Sequence, residues 1–118
     1  MNKTIETPTI IESCGNKPKT IREFFGRVNS KQSELSIARM SSPAGWEEPG
    51  QRPDFDEYTI VTSGTMVIET EAEPVTLGPD QGYLAKAGQW IRYTTPEATE
   101  YMAVCLPAFS PENVNRDS

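Results

Sequence analysis

Histidine is absent from all 118 residues. That absence removes the Ser-His-Asp triad, the Cys-His dyad, any imidazole general base and every histidine-based zinc, copper or iron site. Cysteine is scarce. Cys14 and Cys105 stand far apart with no C-x-x-C spacing, so one bridge is the most they can form. Apolar residues make up only 36% of the chain, and no run approaches the roughly 18 residues that span a bilayer. The opening Met1-Asn2-Lys3-Thr4-Ile5-Glu6 lacks an apolar signal-peptide core. A leaderless chain of this size reads as soluble and cytoplasmic, where thiols stay reduced. Internal repeats are missing, and so is any helix-period segment of useful length.

What is there is turn-rich and acidic. Eighteen residues are glycine or proline, which favours many short elements over a helical bundle. The net charge of −6 is unevenly spread: residues 1–46 carry seven bases against four acids, and residues 47–100 carry three bases against eleven acids. Such a domain repels phosphate backbones and anionic lipid surfaces, so neither nucleic acid nor membrane is expected as a partner. The length allows one hydrophobic core and not two.

Runs of β-branched and aromatic residues closed by turn signals predict strands over 20–25, 35–40, 58–62, 65–69, 74–77, 81–84, 90–94 and 101–106. Ser63-Gly64 between two of these runs predicts a tight hairpin. Residues 46–56 read as a loop rich in Pro, Gly and acids. The whole is all-β, an antiparallel sandwich or barrel over residues 19–110. Residues 1–18 read as an N-terminal arm and residues 111–118 as a flexible tail.

The stretch from Glu34 to Ser110 resembles a small single-domain cupin, the double-stranded β-helix jelly-roll barrel. Glu57 followed by Gly64 matches the spacing of the first cupin signature. Gly78-Pro79-Asp80-Gln81-Gly82 through Ala87-Gly88 and on to Pro96 matches the order of the second. The segments Gln51 to Tyr58 and Cys105 to Ser110 also resemble bacterial cupins of the ethanolamine-utilisation type. The family's histidine dyad falls here on Gly50 and Arg52, or on Gln51 and Pro53 under the shorter spacing. Its later histidine falls on Ile91, and the proline of its second signature on Lys86. Of the ligands the resemblance would supply to a metal, only Glu57 remains, so no metal and no other cofactor is expected.

The resemblance implies a barrel open at one end, whose inward side chains line a cup for one small ligand. With Glu57 facing inward, strand parity puts Thr59 and Val61 on its face, and Ile91 shares a face with Tyr93. Three roles fit Glu57: a carboxylate solvated or paired with arginine, a group binding ligand hydroxyls or a cation, or a general base with Tyr93 as the acid. If Leu35 and Ile37 point inward, Arg39 does too, either clamping an anionic ligand or pairing with Glu57. Trp46 forms a stacking wall or caps the core, Gln51 offers an amide, and Cys105 looks into the cup as a small hydrophobe or a thiol.

The expected function is therefore metal-free binding of a small polar or anionic metabolite by Arg39, Trp46, Gln51, Glu57, Thr59, Tyr93 and Cys105. The alternative is a metal-independent isomerase, epimerase, cyclase or lyase with Glu57 as base. A homodimer is expected, with Thr9-Ile10-Ile11-Glu12 as the candidate exchanged strand.

Overall fold

In a computed structural model, which describes residues 2–118, period-2 alternation of buried and less buried side chains is clearest along Ile91–Thr95 and Thr99–Leu106. The strands among the described residues are β1 (Thr9–Ile11), β2 (Thr20–Phe25), β3 (Ser36–Ser42), β4 (Trp46–Glu47), β5 (Asp56–Ser63), β6 (Met66–Thr70), β7 (Val75–Leu77), β8 (Gln81–Ala85), β9 (Ile91–Thr95) and β10 (Thr99–Leu106). They form two antiparallel sheets. One has the order β1-β2-β3-β10-β5-β8, the other β4-β9-β6-β7. From β3 to β10 the chain passes back and forth between the two, which is jelly-roll topology. No helix among the described residues is long and apolar enough to cross a membrane.

The expected hairpin across Ser63-Gly64 is corrected. β5 pairs with β10 and β8, whereas β6 pairs with β9 and β7. Ser63-Gly64 is thus a corner at which the chain leaves one sheet for the other. Gly64 has φ +89°, and a Cβ there would stand 2.3 Å from the Ala98 carbonyl oxygen, so the corner requires glycine. Thr99 secures it: its hydroxyl accepts from the Thr65 amide at 3.1 Å and donates to the Thr65 carbonyl at 2.9 Å.

The termini are also better anchored than their polarity suggests. β1 pairs with β2, Thr9 opposite Glu23. The segment read as a flexible tail runs beside Gly50–Asp54. The Arg52 amide donates to Asn115, the Asp54 amide to Asn113, and the Asp117 amide to Gly50. Val114, only 2% exposed, is the apolar anchor of this segment. A single valine among polar residues carries no periodic signal, and backbone pairing leaves none in composition.

Inward residues fill the space between the sheets. Trp46, Val61, Met66, Ile68, Leu77, Ile91 and Tyr93 belong to one buried cluster, and Phe55, Cys105 and Val114 form another with Phe109 against it. Full burial of each large apolar side chain contributes about 1.5–3 kcal/mol. The outer face of the six-stranded sheet is different. Ile37, Val104, Tyr58 and Leu84 align across β3, β10, β5 and β8, and Tyr58, Ile60, Leu84 and Leu106 are exposed.

Candidate ligand cavity

The two apolar clusters do not close on each other. Between them lies a cavity of about 80 Å³. Met40, Tyr93 and Tyr101 border it from one side, and Phe55, Cys105, Val114 and Phe109 from the other. Lys19, Glu48, Gln51, Glu57 and Arg116 supply polar groups to the wall. That volume holds on the order of five waters.

Glu57 is the second residue of β5, and Tyr93 faces it from the opposite sheet on β9. The Tyr93 phenol donates to Glu57 Oε1 at 3.1 Å. Burial pushes the Glu57 carboxyl up, against the opposing effects of the phenol and the Lys19 charge. Tyr93 is held well above the ordinary phenol value, by burial first and then by the charges of Glu57 and Glu48. The pair is thus an acceptor carboxylate bound to a phenol that keeps its proton.

Glu48 lies just past β4, two residues after buried Trp46, and turns to the same interior side. Its Oε2 accepts from the Tyr93 backbone amide at 3.4 Å. Burial, followed by repulsion from Glu57, raises its carboxyl to about 7 despite the attraction of Lys19 and Arg116. Tyr93 therefore holds two carboxylates, one on its phenol and one on its amide.

Lys19 precedes β2. Its ammonium stands 4.0 Å from the centre of the Trp46 ring and donates to Tyr101 Oη at 2.9 Å. The Ser42 hydroxyl donates to the same phenol oxygen at 3.4 Å. Burial works to lower the Lys19 pKa, but Tyr101, Glu48 and Glu57 outweigh it and leave the group above its ordinary value. The ammonium is retained.

No protein-family model matches the chain. An endoribonuclease YbeY of Myxococcus xanthus (strain DK1622) is 38% identical over 96 residues, which is 80% of this chain and 33% of that protein. The chain thus spans about a third of the length of the curated relative it matches. Among solved structures, a cupin superfamily protein of Desulfitobacterium hafniense DCB-2 is similar with TM-score 0.68 and 14% identity, covering 82% of this chain and 84% of that one. The chain is a small cupin by fold. A putative ethanolamine utilization protein Q of Salmonella typhimurium LT2 is similar with TM-score 0.69 and 15% identity over 91% of this chain and 100% of that one. The polyketide cyclase RemF of Streptomyces resistomycificus is similar with TM-score 0.74 and 15% identity, over 98% and 85%.

The positions of a cupin metal cage do not suit a transition metal here. Ile91, where a histidine would stand, is 2% exposed and packed in the apolar cluster. Gly50 has no side chain, and Arg52 points out to pair with Glu71 at 3.1 Å. Among the described residues no three His, Cys, Asp or Glu side chains gather to hold an ion. The carboxylates that do face the cavity share it with the Lys19 ammonium, whose charge opposes a second cation.

Of the residues expected in the cup, Glu57, Tyr93, Gln51 and Cys105 line the cavity together. Burial, and secondarily the Glu57 charge, pushes the Cys105 thiol up, so it is a packed hydrophobe rather than a nucleophile. Thr59 faces inward at 2% exposure, but it lies deeper along β5 and off the cavity wall. Trp46 is fully buried, and its indole N–H donates to the Cys14 carbonyl at 3.2 Å, so it caps the core. Arg39 is corrected. The inward residues of β3 are Ser36 and Ala38, so Arg39 points to solvent and pairs with Glu100 at 3.4 Å. Leu35 precedes the strand and does not set its parity.

Six polar wall residues went unread in the sequence: Glu12, Lys19, Glu23, Ser36, Glu48 and Arg116. Glu48 had a signal, the same-face spacing from Trp46. Lys19 and Arg116 had none, because each comes from a segment that reads as an arm or its border.

Proposed function

We propose that this cupin binds a small polar or anionic metabolite, without a metal, at the Glu57–Tyr93 pair. The observation that carries the reading is the Tyr93 hydrogen bond to Glu57 at 3.1 Å on the wall of a cavity of about 80 Å³. A carboxylate withdrawn from water with no cation within ion-pair distance among the described residues is expensive to keep. A ligand that donates to it would offset that cost. The test is a thermal-shift screen of a metabolite library, with metal analysis of protein purified without chelators. Stabilising hits that Glu57→Gln weakens are expected. Stoichiometric iron, copper or zinc, or hits that the substitution leaves unchanged, would overturn the reading.

A second reading is metal-independent proton transfer, as an isomerase, epimerase, cyclase or lyase. The raised Glu57 carboxyl beside a phenol that keeps its proton favours it, because such a pair suits a base and its complementary acid. Similarity to a cyclase supports that class only by analogy of fold. In this case Glu57→Gln abolishes turnover rather than weakening binding alone. RNA cleavage, which the name of the M. xanthus protein denotes, is not carried over: the chain spans about a third of that protein, and its net charge of −6 disfavours a phosphate backbone.

We also propose a homodimer, through the exposed apolar row on the outer face of β3, β10, β5 and β8. The ion pairs Arg39–Glu100 and Lys86–Asp56 flank that row, giving an apolar centre with a charged rim. Light scattering of the protein and of Ile60→Lys tests it, with a shift from dimer to monomer expected.

A further inference from the structure

We propose that Lys19 is the ligand anchor of the cavity and that the cavity takes a small organic anion, whose charged oxygen accepts from the Lys19 ammonium. The proposal rests on reading the cavity as a ligand site and names the class of molecule that fits it.

An ammonium has three N–H donors and no acceptor. Lys19 spends one on Tyr101 Oη at 2.9 Å. The Trp46 ring, 4.0 Å away, steadies the charge on one side without supplying an oxygen. No carboxylate lies within ion-pair distance of Lys19 among the described residues. The remaining donors therefore lack a protein acceptor, on a group that borders the cavity. A neutral oxygen would satisfy their hydrogen bonds, but only an anionic one also compensates the withdrawn charge.

Glu12 and Glu23 also line the cavity, Glu23 Oε2 already accepting from the Val28 and Asn29 amides, while two acids, Glu48 and Glu57, act on Lys19 across this space and Tyr101 adjoins it. Tyr93 and Arg116 in turn surround Glu48. If both acids were ionised they would repel an incoming anion. Glu48, with its carboxyl raised to about 7, is largely protonated just below neutrality, where it donates to the ligand instead of repelling it. Binding of an anion is thus coupled to uptake of a proton. Arg116 adds a second positive charge to the same wall. A cavity for on the order of five waters limits the ligand to about the same number of non-hydrogen atoms, as in acetate, glycolate or pyruvate.

The experiment is calorimetric titration of the full chain with acetate, glycolate and pyruvate, and with the neutral isosteres acetamide and ethylene glycol, at pH 6 and pH 8. The anions are expected to bind and the neutral isosteres to bind at least tenfold more weakly. Protonation of one group near pH 7 makes anion binding about tenfold tighter at pH 6 than at pH 8. Lys19→Gln is expected to lose that anion preference, and Lys19→Arg, which keeps the charge, to restore it. The thermal midpoint of each variant verifies folding. Equal binding of acetate and acetamide, or undiminished acetate binding by folded Lys19→Gln, overturns the role of Lys19 and leaves the cavity reading standing. Failure of all three anions overturns the anion proposal, and if the metabolite library also yields no hit, the cavity reading falls with it.

Discussion

The two ends of one barrel interior differ in kind, although the same strands run through both. Along β5 the inward side chains pass from Glu57 through Thr59 to Val61, and along β10 from Cys105 back to Tyr101. At the Val61 end, Met66, Ile68 and Leu77 pack in an apolar cluster that contains no Asp, Glu, Lys or Arg. At the Glu57 end, charged and ionisable groups that include Lys19, Glu48, Glu57, Tyr93 and Arg116 surround a void. Close packing is the default state of a protein interior. A barrel that packs one end and leaves the other polar and hollow has set aside stability at the second.

The contrast predicts its largest effect at the closed end. Ile68→Ala is expected to cost about 2–5 kcal/mol, because a fully buried side chain leaves a hole its neighbours cannot fill. Urea denaturation measures it, and a loss below about 1 kcal/mol would mean that this end is loosely packed too.

Next in size is the pH dependence of the open end. Glu48 rises from 4.5 to about 7 on folding, so the folded state binds that proton more tightly than the unfolded chain. The resulting stability is fully present below about pH 4.5 and is lost as pH climbs to about 7, a change of about 3 kcal/mol. Glu57, shifted in the same direction, adds to the trend. Thermal midpoints from pH 4.5 to 8 should decline, and Glu48→Gln should flatten the decline and stabilise the protein at pH 8. An unchanged slope in that variant would show that Glu48 ionises freely.

A smaller effect tests whether the lost cage can be rebuilt. Ile91→His restores the family's histidine type at its position, but places an imidazole in the dry cluster without a hydrogen-bond partner. A cost of about 1–3 kcal/mol and no gain of bound zinc are expected, by denaturation and metal analysis. Tight zinc binding would show that Glu57, Gln51 and the new imidazole converge after all.

The sheets were legible because alternation and turn residues are local signals: eight predicted runs all fall on strands. Their partners were not. Ser63-Gly64 looks identical whether the chain folds back on itself or turns a corner, and only the contact of Gly64 with Ala98 decides which. The cavity was half legible. Glu57, Gln51, Tyr93 and Cys105 follow from parity and from the resemblance. Lys19 reaches the cavity from a segment that lacks strand periodicity, Glu48 from just past a two-residue strand with no signal beyond its spacing from Trp46, and Arg116 through a tail held largely by backbone hydrogen bonds.

Arg39 shows how one residue of register reverses a role. β3 starts at Ser36, so parity puts Ser36 and Ala38 inside and Arg39 outside. Its ion pair with Glu100 is exposed and therefore weak. Arg39→Ala should change stability by no more than about 0.5 kcal/mol and leave ligand binding untouched. Lys19→Gln, the substitution of the cation that does face the cavity, should do the opposite: little change in a denaturation curve beside a large change in a binding isotherm. If Arg39→Ala instead weakened anion binding tenfold, β3 would have to sit one residue out of the register described, and its whole inner face would change with it.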